Sequence, residues 1–288
     1  MLFATVGCSY TRGERLFYHR YVEDDKLSLN TPPESKGRHI IPIFGQVPDR
    51  DGSHMAVATQ QDKRFMLDIS YTGLLSKRLN CEYFTKSGDN FDNIDRHIPE
   101  WVKISRTVPE RKLDFIVLQL TEPQRDLKKF YGGDGREFWD KLKSFSISPE
   151  EKKKLLHHLE VEIPEQTVSK VLKTNKLCKD NDIDLFVWSW GCNSHRDGKI
   201  ELAKMLKDED FFVKIEYEGK EYISHNHMIK RHRVSINQVF DSTDTHPNKF
   251  FNRVLYDSII RKLKEKGIIY DIPTGPKMKW DDLSWDKT

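Results

Sequence analysis

Met1-Leu-Phe-Ala-Thr-Val-Gly-Cys-Ser-Tyr-Thr11 decides how the rest of the chain is read. Five apolar or small residues after Met1 form a run of strand length that stops at Gly7. A run of this kind, without polar alternation, suits a strand buried on both faces of a parallel sheet. Ser9 then falls in the turn after the strand, the place where an open α/β sheet presents reactive groups. A serine hydroxyl is a weak nucleophile by itself, so Ser9 is useful only if the chain also supplies a base and donors for an oxyanion.

Two later stretches repeat the pattern. Asp114-Phe-Ile-Val-Leu-Gln-Leu120 and Ile183-Asp-Leu-Phe-Val-Trp-Ser-Trp190 are continuous apolar runs, and each ends in a polar loop: Thr121-Glu-Pro-Gln-Arg125 and Gly191-Cys-Asn-Ser-His195. A shorter candidate, Glu82-Tyr-Phe-Thr85, runs into Ser87-Gly-Asp-Asn90. Helical spacing separates the strands. Phe65, Ile69, Leu74, Leu75 and Leu79 make one apolar face. Asp89 is a suitable N-cap for a helix through Phe91, Ile94, Ile98, Trp101 and Ile104, with Pro99 expected to bend or break it. Ser148 before Pro149 starts a third helical region that runs to about Asn181 with an interruption near Pro164. Pro247 opens the last helix, with Phe250, Phe251, Val254, Leu255, Ile259 and Leu263 on its inner stripe.

This alternation predicts an α/β fold, a three-layer α/β/α sandwich around a central parallel sheet. The whole chain, 1–288, reads as one domain, with a helical insertion over 126–181, a hairpin insertion over 211–233 and a coil tail over 268–288. Phe211 to Tyr217 and Glu221 to Ile223, joined by Glu218-Gly-Lys220, form the hairpin. The segment from Arg12 to Arg64 has little periodicity and reads as a long loop with short strand or turn pieces.

Composition narrows the partners. The 288 residues carry 48 basic and 45 acidic side chains, a net charge of +3, and 37% of them are hydrophobic. Mean hydropathy is −0.69. Near charge balance argues against a nucleic-acid binder, and the basic runs Lys152-Lys-Lys154 and Lys230-Arg-His-Arg233 are diluted by their neighbours. No apolar stretch approaches the ~20 residues of a membrane span. The N-terminus reads as a core strand rather than a cleaved leader, so a cytoplasmic protein is expected. Cys8, Cys81, Cys178 and Cys192 show no paired spacing, which suggests neither a disulfide framework nor a zinc knuckle.

In a parallel sheet the loops after the strands meet on one edge. Ser9, Gly88, Thr121 and the Trp190 to His195 loop therefore share a rim, and His246, just before the last helix, reaches it. With these residues assembled, the chain resembles the SGNH or GDSL hydrolases, esterases and deacetylases on a flavodoxin-like sandwich. Gly7-Cys8-Ser9 resembles the first block, Gly88 the glycine of the second, and Asp244-Thr-His246-Pro247 the last. The resemblance implies Ser9 as nucleophile, His246 as general base and Asp244 as the acid that orients it. It also implies an oxyanion site formed by the backbone N–H groups of Ser9 and Gly88, and no cofactor or metal.

The sequence departs from the family in three places. Cys8 stands where the first block has aspartate. Gln119-Leu-Thr121 occupies the third block, where Gly-x-Asn is usual, so Thr121, Asn90 or Gln119 must supply the oxyanion donor there. Asp244 stands two residues before His246 rather than three, with Thr243 in the expected place and Asp241 as another candidate acid. Arg12 and Arg125 are the candidates to hold an anionic or sugar substrate, and Tyr10, Trp188 and Trp190 to stack on a sugar ring.

The expected reaction is hydrolysis of an ester, an acylated carbohydrate or a related small molecule, by Ser-His acyl transfer. A catalytically weak SGNH-like module for glycan binding or for a structural role in an assembly is the alternative. Divergent members of the family with such altered blocks are frequent in bacterial and bacteriophage genomes. Two other constellations compete. One is a metal site from His225, His227, His232, His246, Asp241 and Asp244; the other is a thiol nucleophile, Cys192 with His195.

Overall fold

The computed structural model of the chain describes residues 1–7, 11, 46–48, 54–56, 69–121, 123–127, 147–190, 202–225, 227–228 and 249–270. Strand β1 is Leu2–Gly7, and the short strands β2, Gln46–Pro48, and β3, His54–Ala56, pair antiparallel inside the long loop segment. Helix α1, Tyr71–Leu79, follows its cap Ser70, whose hydroxyl accepts the Gly73 N–H at 3.2 Å. Strand β4 is Glu82–Ser87. After it, the helical turn Asn90–Asp92 and a wide π turn, Asn93–His97, lead into α2, Ile98–Thr107. Strand β5 is Phe115–Leu120. Helix α3, Pro149–His157, a second π turn, His158–Glu162, and α4, Ile163–Lys179, lead to β6, Asp184–Ser189. The short helix α5, Leu202–Leu206, strands β7, Ile215–Tyr217, and β8, Lys220–Tyr222, and the long α6, Lys249–Glu265, complete the described elements.

Four strands form one parallel sheet in the order β4-β1-β5-β6. The opening stretch thus occupies an interior position, and all six of its strand residues are buried. Strand pleating sends alternate side chains to opposite faces. Phe3, Phe115, Val117, Phe186 and Trp188 pack with Tyr71 and Leu75 of α1 and with Phe251, Val254, Leu255, Ile259 and Leu263 of α6. On the other face, Ala4, Val6, Ile116, Leu118, Leu185 and Val187 pack with Ile98 and Val102 of α2, Val171 and Cys178 of α4, and Leu202 and Leu206 of α5. Helices on both faces of a parallel sheet bear out the α/β expectation. A small third cluster joins Phe91, Leu127, Leu155, Leu159 and Ile163.

The hairpin is present, and it differs from the expected one at its start. Phe211 to Val213 lie along the free edge of β6: the Val187 N–H donates to Phe211 O at 3.0 Å and the Val213 N–H to Val187 O at 2.8 Å. This stretch extends the sheet by one bridge, and only after it does the chain fold into β7 and β8. The two-residue turn between them uses left-handed backbone at Glu218 and Gly219, the geometry that matches strand twist.

Both prolines expected to disturb a helix sit two residues past a π turn, Pro99 after Asn93–His97 and Pro164 after His158–Glu162. Neither breaks its helix. The widened turn accommodates a residue that lacks an N–H and crowds the preceding turn. Further on, the capping box at Ser148 is complete: Ser148 Oγ accepts the Glu151 N–H, and the Glu151 carboxylate accepts the Ser148 N–H at 3.0 Å. Among the described residues, no helix is long and apolar enough to cross a membrane.

Candidate active site

The strand ends converge as expected. Gly7 closes β1 between Ser87 of β4 and the end of β5, and Trp190 follows β6, its N–H donating to Leu120 O at 3.2 Å. Gly7 has no room for a side chain, since a Cβ there would come 2.7 Å from Gln119 Cβ and closer still to the Thr11 and Gln119 oxygens. Its carbonyl accepts the Gly88 N–H at 2.7 Å and Asn93 Nδ2 at 3.1 Å. The exit of β1 is therefore tied directly to the turn after β4. Thr11, fully buried, donates its hydroxyl to Gln119 Oε1, and its carbonyl accepts the Thr72 hydroxyl of α1 at 3.3 Å. These bonds fix both ends of the stretch that carries Ser9.

Ser9, Tyr10, Arg12, Asp241, Thr243, Asp244 and His246 lie outside the described residues, as do Cys8, Cys192, His195 and His232. Arg125 belongs to the 3₁₀ turn Pro123–Leu127, and its side chain is also outside them.

The structure assigns other work to three of the predicted residues. The N–H of Gly88, expected in the oxyanion site, is donated to Gly7 O. Asn90, expected as a substitute donor, is completely buried and its amide is fully used. Nδ2 donates to Thr121 O at 3.2 Å and to Asp126 Oδ2 at 2.8 Å, while Oδ1 accepts the Thr121 N–H at 2.7 Å. Trp190, expected to stack on a sugar, is 3% exposed, with His225 stacked on it at 3.7 Å between centroids and the edge of Phe251 against it at 6.1 Å. That expectation is corrected, because the imidazole of His225 already occupies the ring face on which a sugar would stack. Thr121 is different: its hydroxyl is buried and has no hydrogen-bond partner.

Asp126 was not singled out in the sequence. It is fully buried and accepts the Phe91 N–H at 3.1 Å as well as the Asn90 amide. Burial pushes its carboxyl up to about 7, against the lowering effect of the Phe91 N–H; the charge of Asp89 and a hydrogen bond with it push the same way as burial. Asp89 itself caps the Asn90–Asp92 turn, its Oδ1 accepting the Asp92 N–H at 2.7 Å. The signal in the sequence was slight, an aspartate directly after the strand-end loop Thr121 to Arg125. Only the fold brings it against Asp89 and Asn90.

His225 is the other residue with an unexpected setting. It is completely buried, and neither ring nitrogen has a hydrogen-bond partner. Phe251 meets it in a T-shaped contact at 4.0 Å between centroids, beside the Trp190 stack. Desolvation holds its pKa well below the usual histidine value, so the ring is neutral. Among the described residues, no three His, Cys, Asp or Glu side chains are grouped closely enough to hold a metal ion. Cys81 and Cys178 are free thiols, and burial pushes that of Cys178 up to about 12.

Among the described residues, the rim thus offers one unpartnered hydroxyl, one acid that holds its proton to near neutrality, and one neutral buried imidazole. No protein-family model matches the chain, and no curated protein resembles it closely enough to count as a relative.

Proposed function

We propose that the chain is a serine ester hydrolase of SGNH type, on that family's flavodoxin-like sheet, acting on an acylated carbohydrate or a similar small ester. The observation that carries this reading is the setting of Gly7. It is an interior-strand glycine with no space for a Cβ, its carbonyl held by Gly88 and Asn93, two residues ahead of Ser9. A strand exit anchored in this way suits a nucleophile that must be held in one orientation.

In this mechanism His246, oriented by Asp244, takes the Ser9 proton as the hydroxyl attacks the ester carbonyl. The Ser9 N–H and the Thr121 hydroxyl stabilise the tetrahedral oxyanion. Thr121 is the better donor of the candidates because its hydroxyl is uncommitted, whereas Asn90 is not. The alcohol departs with the proton held by His246. Water, deprotonated by the same imidazole, then releases the acyl group. Arg12, Arg125 and Tyr10 are the side chains assigned to the substrate, and the protein works in the cytoplasm or as part of a phage-derived assembly.

The test is covalent labelling by a fluorophosphonate together with hydrolysis of p-nitrophenyl acetate. Both are expected for the wild type and lost in Ser9→Ala. His246→Ala is expected to lower both by about 10³-fold or more, and a wild type that neither labels nor hydrolyses rejects the proposal. One observation favours a second reading, a weak or inactive module used for glycan binding: the Gly88 N–H and the Asn90 amide are both spent within the protein. Under that reading the labelling fails while sugar binding persists.

A further inference from the structure

Buried polar atoms without partners are rare because each has given up water for nothing. Three of them belong to two rings, His225 and Trp188, that both pack against Phe251 beside the end of β6. Both ring nitrogens of His225 and Nε1 of Trp188 lack a hydrogen bond, although both side chains are at least 99% buried. Phe251 touches His225, Trp188 and Trp190 at once, with centroid distances of 4.0, 6.0 and 6.1 Å. The imidazole is held in place by packing alone, between Trp190 and Phe251. If its role were to fill the core, a phenyl or isobutyl group would fill it without the desolvation cost.

The surroundings specify what these atoms would bind. Neutral imidazole presents one N–H and one acceptor nitrogen, and indole presents one N–H. Among the described residues, no charged group supports either ring, so an anion or a cation would be bound at a penalty. An uncharged hydroxyl or carbonyl group would satisfy them, and the end of β6 adjoins the end of β5 where Thr121 also has a free hydroxyl.

We propose that His225 and Trp188 Nε1 form a hydrogen-bonding subsite for an uncharged hydroxyl or carbonyl group of the ligand that binds at this rim. The assignment rests on the esterase reading for the ligand's class, a neutral sugar ester, and gives that substrate its first buried contact in the described part of the protein. His225 is then a specificity-determining residue rather than part of the Ser-His pair.

The experiment compares His225→Phe and His225→Leu with the wild type in three measurements. Thermal unfolding is expected to show at least one variant as stable as the wild type or more so, because an unpaired polar group has been removed. Hydrolysis of an acetylated methyl glycoside is expected to fall about tenfold or more through a higher KM, the loss of roughly one good hydrogen bond. Fluorophosphonate labelling of Ser9, which does not use the subsite, is expected to be unchanged. In parallel, ¹⁵N-histidine spectra of the wild type are recorded with N-acetylglucosamine, and a saturable shift of the His225 ring nitrogens is expected. Loss of stability in both variants, unchanged KM in a stable variant, or a His225 signal indifferent to the sugar would each overturn the proposal. If the wild type does not label at all, the Ser9 reading has failed, and the ¹⁵N titration still decides the subsite on binding alone.

Discussion

The two polar clusters at the C-terminal edge of the sheet are built on opposite economies. Beside β4 and β5, Asn90 joins the Thr121 backbone to Asp126, and Gly88 and Asn93 hold the Gly7 carbonyl. Beside β6, His225 and Trp188 are packed just as tightly and leave three nitrogens unused. The first cluster fixes the relative positions of two strand exits, and its polar groups work as cross-links. The second spends desolvation energy without return inside the fold. The difference is one of degree, since the Thr121 hydroxyl and Asn93 Oδ1 in the first cluster also lack partners, as both ring nitrogens of His225 do.

The comparison can be broken most severely at Asn90. Asn90→Ala removes three hydrogen bonds and leaves the Thr121 N–H and the Asp126 carboxyl poorly paired, so a loss of about 4 kcal/mol is expected in urea unfolding. A loss below about 1 kcal/mol would show the network to be incidental. Next comes Gly7→Ala, where the new methyl group meets Gln119 and Thr11 and must displace them. About 2–3 kcal/mol of destabilisation is expected, against about 1 kcal/mol for Gly219→Ala, whose Cβ would meet open space and whose cost comes from its left-handed backbone. Equal costs at the two glycines would remove the close-packing argument for the strand exit.

Asp126 gives the comparison a pH axis. Its folded-state pKa is raised to about 7, so the folded protein keeps a proton that the unfolded chain gives up near pH 4. Stability contributed by this group is complete at low pH and falls as pH rises toward about 7. Between pH 5 and pH 8 the loss is on the order of 2 kcal/mol, and Asp126→Asn is expected to flatten it. A wild-type midpoint unchanged over that range, after correction with the Asn variant, would contradict the raised value. The smallest effect belongs to the surface. Arg261 pairs with Glu216 and Glu221, each at 2.9 Å, on partly exposed side chains, and Arg261→Ala should cost under about 1 kcal/mol, less at high salt.

Much of the framework was legible in the sequence because it depends on local pattern. Buried parallel strands are continuous apolar runs, and β1, β5 and β6 fall where those runs do. The Asp89 cap and the Ser148 capping box follow from residue types three positions apart. The order of the strands, the bridge from Phe211 to Val213 and the roles of Asn90 and Asp126 were not legible, since each depends on contacts between distant segments. Asn90 and Thr121 are 31 residues apart in the chain. Trp190 misled for the same reason: an aromatic residue after a strand end reads as an exposed platform until His225 and Phe251 are seen to cover it.

The two π turns have a further consequence. Each admits an extra residue into one helical turn, which rotates everything after it by about 100° relative to an uninterrupted α-helix. Phe91, ahead of the first turn, belongs to the small cluster, and Ile98 and Trp101, after it, belong to the sheet. The second turn lies between Leu155 of the small cluster and Val171 and Cys178 of the sheet, although Ile163, just past it, still packs with Leu155. Each turn acts as a change of gear, letting one continuous helical run serve two separate cores. Removing a single residue from either would leave the helix intact and turn its second half away from the sheet.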